Sequence, residues 1–229
     1  MYVETLFTTS KHAFRHQAED MSMASIYEIL NLGPVLPVVT IDDPAHAVPL
    51  AEALLAGGIR SIEVTLRTEA GLDCIDKILS KVSGMYVGAG TVTAPEQLLV
   101  LKDMGAHFAV SPGCLPVLAE TANRIGLPFL PGVMTPTEAL TLREQGFQAV
   151  KFFPAEPAGG VRMVKAMSAV YPDLTFCPTG GITLEKAPEW LSLDCIKCVG
   201  GSWIAPRNAI ASGDFQGITE RARAAAALA

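Results

Sequence analysis

From residue 35 onward the chain alternates between two textures. Short runs rich in Val, Ile and Phe give way to longer stretches whose apolar residues return every three or four positions. The first pattern suits strands covered on both faces, the second helices with one covered face. Strand-like runs fall at 35–41, 61–66, 86–92, 107–111, 128–133, 149–154, 175–178 and 198–203. Helix-like stretches follow at 44–56, 69–82, 95–104, 115–125, 136–145, 160–170, 184–191 and in an Ala-rich C-terminal segment, with a short leading helix expected at 23–30. Thr93-Ala94-Pro95-Glu96 and Thr135-Pro136-Thr137-Glu138 carry helix-start signals, a hydroxyl ahead of proline and an early carboxylate. Gly57-Gly58, Gly105, Gly126 and Gly146 each close a helix just before the next strand.

Eight such βα units point to an α/β fold closed as a parallel (β/α)8 TIM barrel, a single domain over residues 21–229. An open doubly wound sheet is the alternative, but no GxGxxG follows the first strand. Residues 1–20 read as a loosely ordered N-terminal extension, without the apolar run of a signal peptide and too acidic for a transit peptide.

Composition narrows the partners. Half the residues are apolar, 17% are charged and the net charge is −6, which argues against nucleic acid. No stretch is apolar for long enough to span a membrane. Five scattered cysteines suggest reduced thiols and a cytoplasmic setting. Cys195 and Cys198 have the spacing of half a zinc site, but no second pair accompanies them, so no metal is expected.

Candidate chemistry follows from where a barrel keeps its active site, at the C-terminal ends of the strands. In Ala149-Val150-Lys151-Phe152-Phe153-Pro154, period-two alternation sends Val150 and Phe152 towards the helices and turns Lys151 and Phe153 inward. Burying a charged amine is costly, whereas a neutral one attacks ketones. The other reading is a structural lysine paired with a carboxylate. Lys197 precedes the last strand and falls at the opposite, stability face. On the second strand Ile62, Val64 and Leu66 form the helix-facing row, leaving Glu63, Thr65 and Arg67 inside. Glu63 could shuttle protons and Arg67 could hold a carboxylate, or the two could be an internal ion pair. The last two strands end in Thr179-Gly180-Gly181 and Gly200-Gly201-Ser202, a pairing suited to phosphate. None of the four histidines, His12, His16, His46 and His107, stands at the C-terminal end of a strand. A metal-dependent aldolase or a His-based hydrolase would lack its ligands or base.

These residues resemble the 2-keto-3-deoxy-6-phosphogluconate (KDPG) aldolase / 4-hydroxy-2-oxoglutarate (KHG) aldolase family, from about Ser25 to the C-terminus. The resemblance is carried, in order, by Glu63-Val64-Thr65-Leu66-Arg67-Thr68, Gly88-Ala89-Gly90-Thr91-Val92, Ser111-Pro112-Gly113, Pro131-Gly132, Val150-Lys151-Phe152-Phe153-Pro154-Ala155-Glu156, Cys177-Pro178-Thr179-Gly180-Gly181-Ile182 and Val199-Gly200-Gly201-Ser202-Trp203. It implies a cofactor-free class I aldolase on a (β/α)8 barrel, usually homotrimeric, acting on a small phosphorylated 2-oxo acid. It further implies Lys151 as the Schiff-base lysine and Glu63 as the proton-transfer residue. Arg67 and Thr91 would hold the substrate carboxylate, with Phe153 and Pro112 lining the pocket. Thr179, Gly180, Gly181, Gly200, Gly201 and Ser202 would form the phosphate site. Thr40 stands where some relatives carry arginine on the first strand. The rival readings are a phosphate-binding isomerase or synthase that uses Glu63 and Lys151 without an imine, and a non-catalytic phosphosugar sensor.

Overall fold

The computed structural model describes residues 24–228, so the N-terminal extension expected at 1–20 lies outside the described residues. Every strand pairing is parallel. β1 (Val35–Val39), β2 (Ser61–Thr65), β3 (Tyr86–Gly90), β4 (Phe108–Val110), β5 (Phe129–Leu130) and β9 (Val199–Gly201) form one sheet in the order β5-β4-β3-β2-β1-β9. β6 (Gly132–Val133), β7 (Ala149–Phe152) and β8 (Thr175–Pro178) form a second sheet, β6-β7-β8.

The expected fifth strand is thus divided. Pro131 sits between β5 and β6 and has no N–H to give a ladder. Below it Leu130 accepts from the Ser111 amide, and Pro131 itself accepts from the Lys151 amide at 2.8 Å. The segment therefore passes from β4 to β7. At the other boundary, parallel bridges Phe176↔Ile196 and Thr179↔Gly200 link β8 to the chain at and just before β9.

Helices alternate with the strands: α1 (Ile26–Leu30), α2 (Ala47–Ala56), α3 (Gly71–Lys81), α4 (Pro95–Asp103), α5 (Pro116–Ile125), α6 (Pro136–Glu144), α7 (Gly160–Val170) and α8 (Ala187–Leu191). The leading helix is shorter than expected because Ser25 caps it, in a capping box with Glu28. The C-terminal segment is two helices, α9 (Arg207–Ala211) and α10 (Phe215–Ala226). They part where Gly213 takes φ +73° and Asp214 accepts from the Gly217 amide to cap α10. Thr135 caps α6 as its motif suggests. Thr93 does not cap α4: Ala94 holds that position, and the Gln97 side chain accepts from the Thr93 and Ala94 amides instead.

Two apolar layers result. Between strands and helices lie Ile62, Val64, Val87, Val150, Phe152, Phe176 and Val199, all fully buried. Each large side chain contributes roughly 1.5–3 kcal/mol on burial. Inside the strands, Leu36, Phe108, Val110, Leu130, Ala149, Cys177 and Cys198 form a second cluster, and Ile29 and Leu30 of α1 pack into it. Alternation along β7 puts Lys151 one inward step beyond Ala149, above this plug. No described helix is long and apolar enough to cross a membrane.

At the start of α6, partial burial raises the Glu138 carboxyl, but hydrogen bonds from the Met134 amide and from Thr135 outweigh it and hold its pKa below the ordinary value. That contribution is present above the unfolded-state pKa and lost as pH falls through the folded one. Thr135→Ala should lower stability by about 1 kcal/mol at neutral pH. In urea unfolding, the gap from wild type should narrow in acid once Glu138 is protonated.

Candidate active site

β2 and β7 belong to different sheets, yet their inward side chains meet. Lys151 Nζ lies 3.1 Å from Glu63 Oε1, and the two residues are 4% and 1% exposed. The carboxylate compensates the buried ammonium and accepts a charge-assisted hydrogen bond from it. The Phe153 ring centroid is 5.6 Å from the same Nζ. β3 leaves room for the carboxylate only because Gly90 has no side chain: a Cβ there would come within 2.6 Å of Glu63 Cγ. Lys151 pairs in register with Gly132 on one side and Cys177 on the other. Cys177 Sγ is 3.6 Å from Cys198 Sγ. That thiol contact, with burial and the nearby Glu63 charge, pushes the Cys198 thiol well above its ordinary range, so it stays a thiol.

The inward row of β2 ends sooner than alternation suggests. Thr65 is fully buried, donates to the Val39 carbonyl at 3.0 Å and lies 2.9 Å from the Thr40 hydroxyl. Arg67 is outside the strand and exposed, so it is not an interior residue, and Glu63 pairs with Lys151 rather than with it. Arg67 Nε instead donates to Thr91 Oγ1 at 3.1 Å. Thr91 has φ +62°, a left-handed conformation rare for a β-branched residue. The expected carboxylate-binding pair is therefore joined at the rim. Pro112 lies beside β6, where its backbone abuts Gly132, the register partner of Lys151.

The glycine loops come together as expected. Thr179 is bridged to Gly200, and Gly180 and Gly181 adopt φ +109° and +80°. Those values suit glycine. Gly181 and Ser202 line one cavity of about 480 Å³, together with Thr40, Thr183, Trp203 and Arg207. The glycine turn is braced by Glu156, whose amide donates to the Gly180 carbonyl at 3.0 Å and whose carboxylate accepts from Lys186 and from the Trp190 indole. The hydrogen bond from Lys186, helped by that from Trp190, holds the carboxyl below its ordinary pKa against the opposing effect of burial.

Elsewhere the chemistry is quiet. His107 takes the Val87 amide on Nδ1 at 2.9 Å, and burial lowers its pKa. Lys197 lines a separate cavity with Tyr27 of α1. Among the described residues no group of three or more His, Cys, Asp or Glu side chains could hold a metal ion.

Sequence comparison matches residues 26–221 to the family described as KDPG and KHG aldolase. The chain belongs to this aldolase family. It is 47% identical over 203 residues to a 2-dehydro-3-deoxy-phosphogluconate aldolase of Pseudoalteromonas atlantica, covering 89% of this chain and 94% of that one. It is 43% identical over 201 residues to the KHG/KDPG aldolase of Escherichia coli, covering 88% and 94%. In three dimensions it resembles the KDPG aldolase of Legionella pneumophila, solved with pyruvate as a covalent carbinolamine intermediate. The TM-score is 0.87 at 40% identity, covering 89% of this chain and 98% of that one.

Sequence reasoning placed Lys151 and Glu63 on inward faces and the two glycine loops side by side, and the structure brings each set together. That reasoning missed the Thr40–Thr65 contact, the paired thiols beneath the lysine and Arg207 at the loop cavity. Each depends on strands or loops far apart in sequence. Gly90→Ala should force Glu63 off Lys151 and destabilise the protein by about 1–3 kcal/mol. A urea midpoint unchanged from wild type would contradict the tight fit.

Proposed function

We propose that this chain is a class I aldolase that cleaves 2-keto-3-deoxy-6-phosphogluconate to pyruvate and glyceraldehyde 3-phosphate, and 4-hydroxy-2-oxoglutarate to pyruvate and glyoxylate. The observation that carries this reading is the buried amine of Lys151 at 3.1 Å from the Glu63 carboxylate. A lysine paired with a carboxylate could be structural, as noted above. The carbinolamine held by the Legionella enzyme and the names of the relatives favour chemistry.

In this mechanism Glu63 takes a proton from the ammonium of Lys151, and the free amine adds to the C2 ketone. Glu63 returns protons to the carbinolamine oxygen until water leaves, giving an iminium. The C3–C4 bond then breaks. Its electron pair flows into the iminium to give an enamine, and the C4 hydroxyl loses its proton to Glu63 through a water. The aldehyde departs, C3 is protonated, and a second water hydrolyses the imine to pyruvate and free Lys151. Arg67 and Thr91 hold the substrate carboxylate, with the Phe153 ring beside the imine and Pro112 at the pocket wall. Thr179, Gly180, Gly181, Gly200, Gly201 and Ser202 receive the phosphate. No step calls for a metal or organic cofactor.

We read the two sheets as parts of one closed (β/α)8 barrel. The support is the continuity of β5 with β6 through Pro131 and the bridges between β8 and the chain at β9. A homotrimer fits the exposed apolar side chains Leu99, Val100, Leu115 and Val117. Free cysteines fit a cytoplasmic protein.

Borohydride reduction in the presence of pyruvate should attach a pyruvyl adduct to the Lys151 peptide, read by mass mapping. Lys151→Met should give no adduct and no turnover. Glu63→Gln should lower kcat by about 10²–10⁴-fold. No adduct and no cleavage of either substrate by the wild type would favour an isomerase or synthase using the same two residues.

A further inference from the structure

The cavity beside the glycine loops has an uneven chemistry. Its lining includes backbone and hydroxyls from Thr40, Gly181, Thr183 and Ser202, and a single charged side chain, Arg207. A phosphate dianion held by hydroxyls and amides alone keeps its charge uncompensated, and arginine is the side chain whose planar fork matches it. Thr40, at the end of β1, supplies no charge. Arg207 arrives instead from the opening of α9.

Its orientation is set from behind. Arg207 Nε donates to Asp42 Oδ2 at 2.7 Å and Nη2 donates to Oδ1 at 2.5 Å. A guanidinium has five N–H groups, so this pair leaves donors unused. Arg207 and Asp42 also line a second, smaller cavity with His46, so the arginine stands between the two spaces. Both side chains are exposed, and the ion pair alone holds α9 only weakly. Trp203, on the same wall as Arg207, has a buried indole N–H without a hydrogen-bond partner among the described residues. The unused guanidinium N–H groups therefore give this wall donors that the protein itself does not use.

We propose that Arg207, aligned by Asp42, is the cation that recognises the terminal phosphate of the substrate and sets the preference for phosphorylated over unphosphorylated 2-oxo acids. This rests on the aldolase reading above and adds to it a residue outside the glycine loops. The phosphate lies between Ser202, Gly181 and the free edge of the guanidinium, and Arg207 takes no part in the bond-breaking steps.

The test is steady-state cleavage of 2-keto-3-deoxy-6-phosphogluconate and of 4-hydroxy-2-oxoglutarate by wild type, Arg207→Gln, Arg207→Lys and Asp42→Asn. Arg207→Gln should raise KM for the phosphorylated substrate about ten-fold, with kcat/KM for 4-hydroxy-2-oxoglutarate within about two-fold of wild type. Arg207→Lys should recover part of the loss. Asp42→Asn removes the carboxylate charge but keeps one acceptor oxygen to orient the guanidinium, so its KM for the phosphorylated substrate should stay within about two-fold or fall. An unchanged KM in Arg207→Gln overturns the proposal while leaving the aldolase reading intact. So does an equal rise in Asp42→Asn, which would make the pair merely structural. A wild-type protein that cleaves neither substrate overturns the aldolase reading and this one with it.

Discussion

An ammonium and a carboxylate, both withdrawn from water, set the terms for the middle of this protein. Each ion alone would cost several kcal/mol to bury, and their contact offsets that only at close range. Lys151 and Glu63 lie on strands of different sheets, so the two sheets must hold them within hydrogen-bond distance. The surroundings are cut to suit. Gly90 yields its space to the carboxylate, Gly132 and Cys177 flank the lysine, and apolar side chains fill the level below.

Above the ion pair the character changes from fixed packing to loops and rim residues. Thr91 keeps a left-handed backbone where its hydroxyl meets Arg67. Gly180 and Gly181 turn the chain after β8 so that Glu156 can brace it against α8 through Trp190 and Lys186. On the proposed chemistry the buried pair lies where the substrate is bonded, and the rim and glycine loops lie where its two acidic ends are received.

The sequence was most readable where a local period decides the outcome. Val150 and Phe152 are buried against the helices, so Lys151 faces inward, and Thr135 to Glu138 starts α6 as its residues suggest. Period two failed at Arg67 because β2 stops at Thr65, and beyond a strand end alternation has no pleat to follow. Thr93 failed as a cap because α4 begins at Pro95, which makes Ala94 its N-cap, and Gln97 reaches back to the Thr93 and Ala94 amides from inside the helix. The pairings that build the site were beyond local reading. Glu63 and Lys151 are 88 positions apart, and Arg207 and Asp42 are 165 apart. Only the complete fold brings them together.

The apolar plug under the lysine, sealed by Ile29 and Leu30 of α1, has a kinetic meaning. On the proposed closed barrel it blocks the N-terminal side, so substrate reaches Lys151 from the C-terminal ends of the strands. On the proposed chemistry the pyruvyl fragment is bonded at the bottom and the aldehyde lies nearer the exit. The aldehyde must then depart first, and in the synthetic direction pyruvate must enter before the aldehyde can be used. The bond to Lys151 sets that order by itself; on the proposed barrel the plug adds that the aldehyde and pyruvate must share one route in and out.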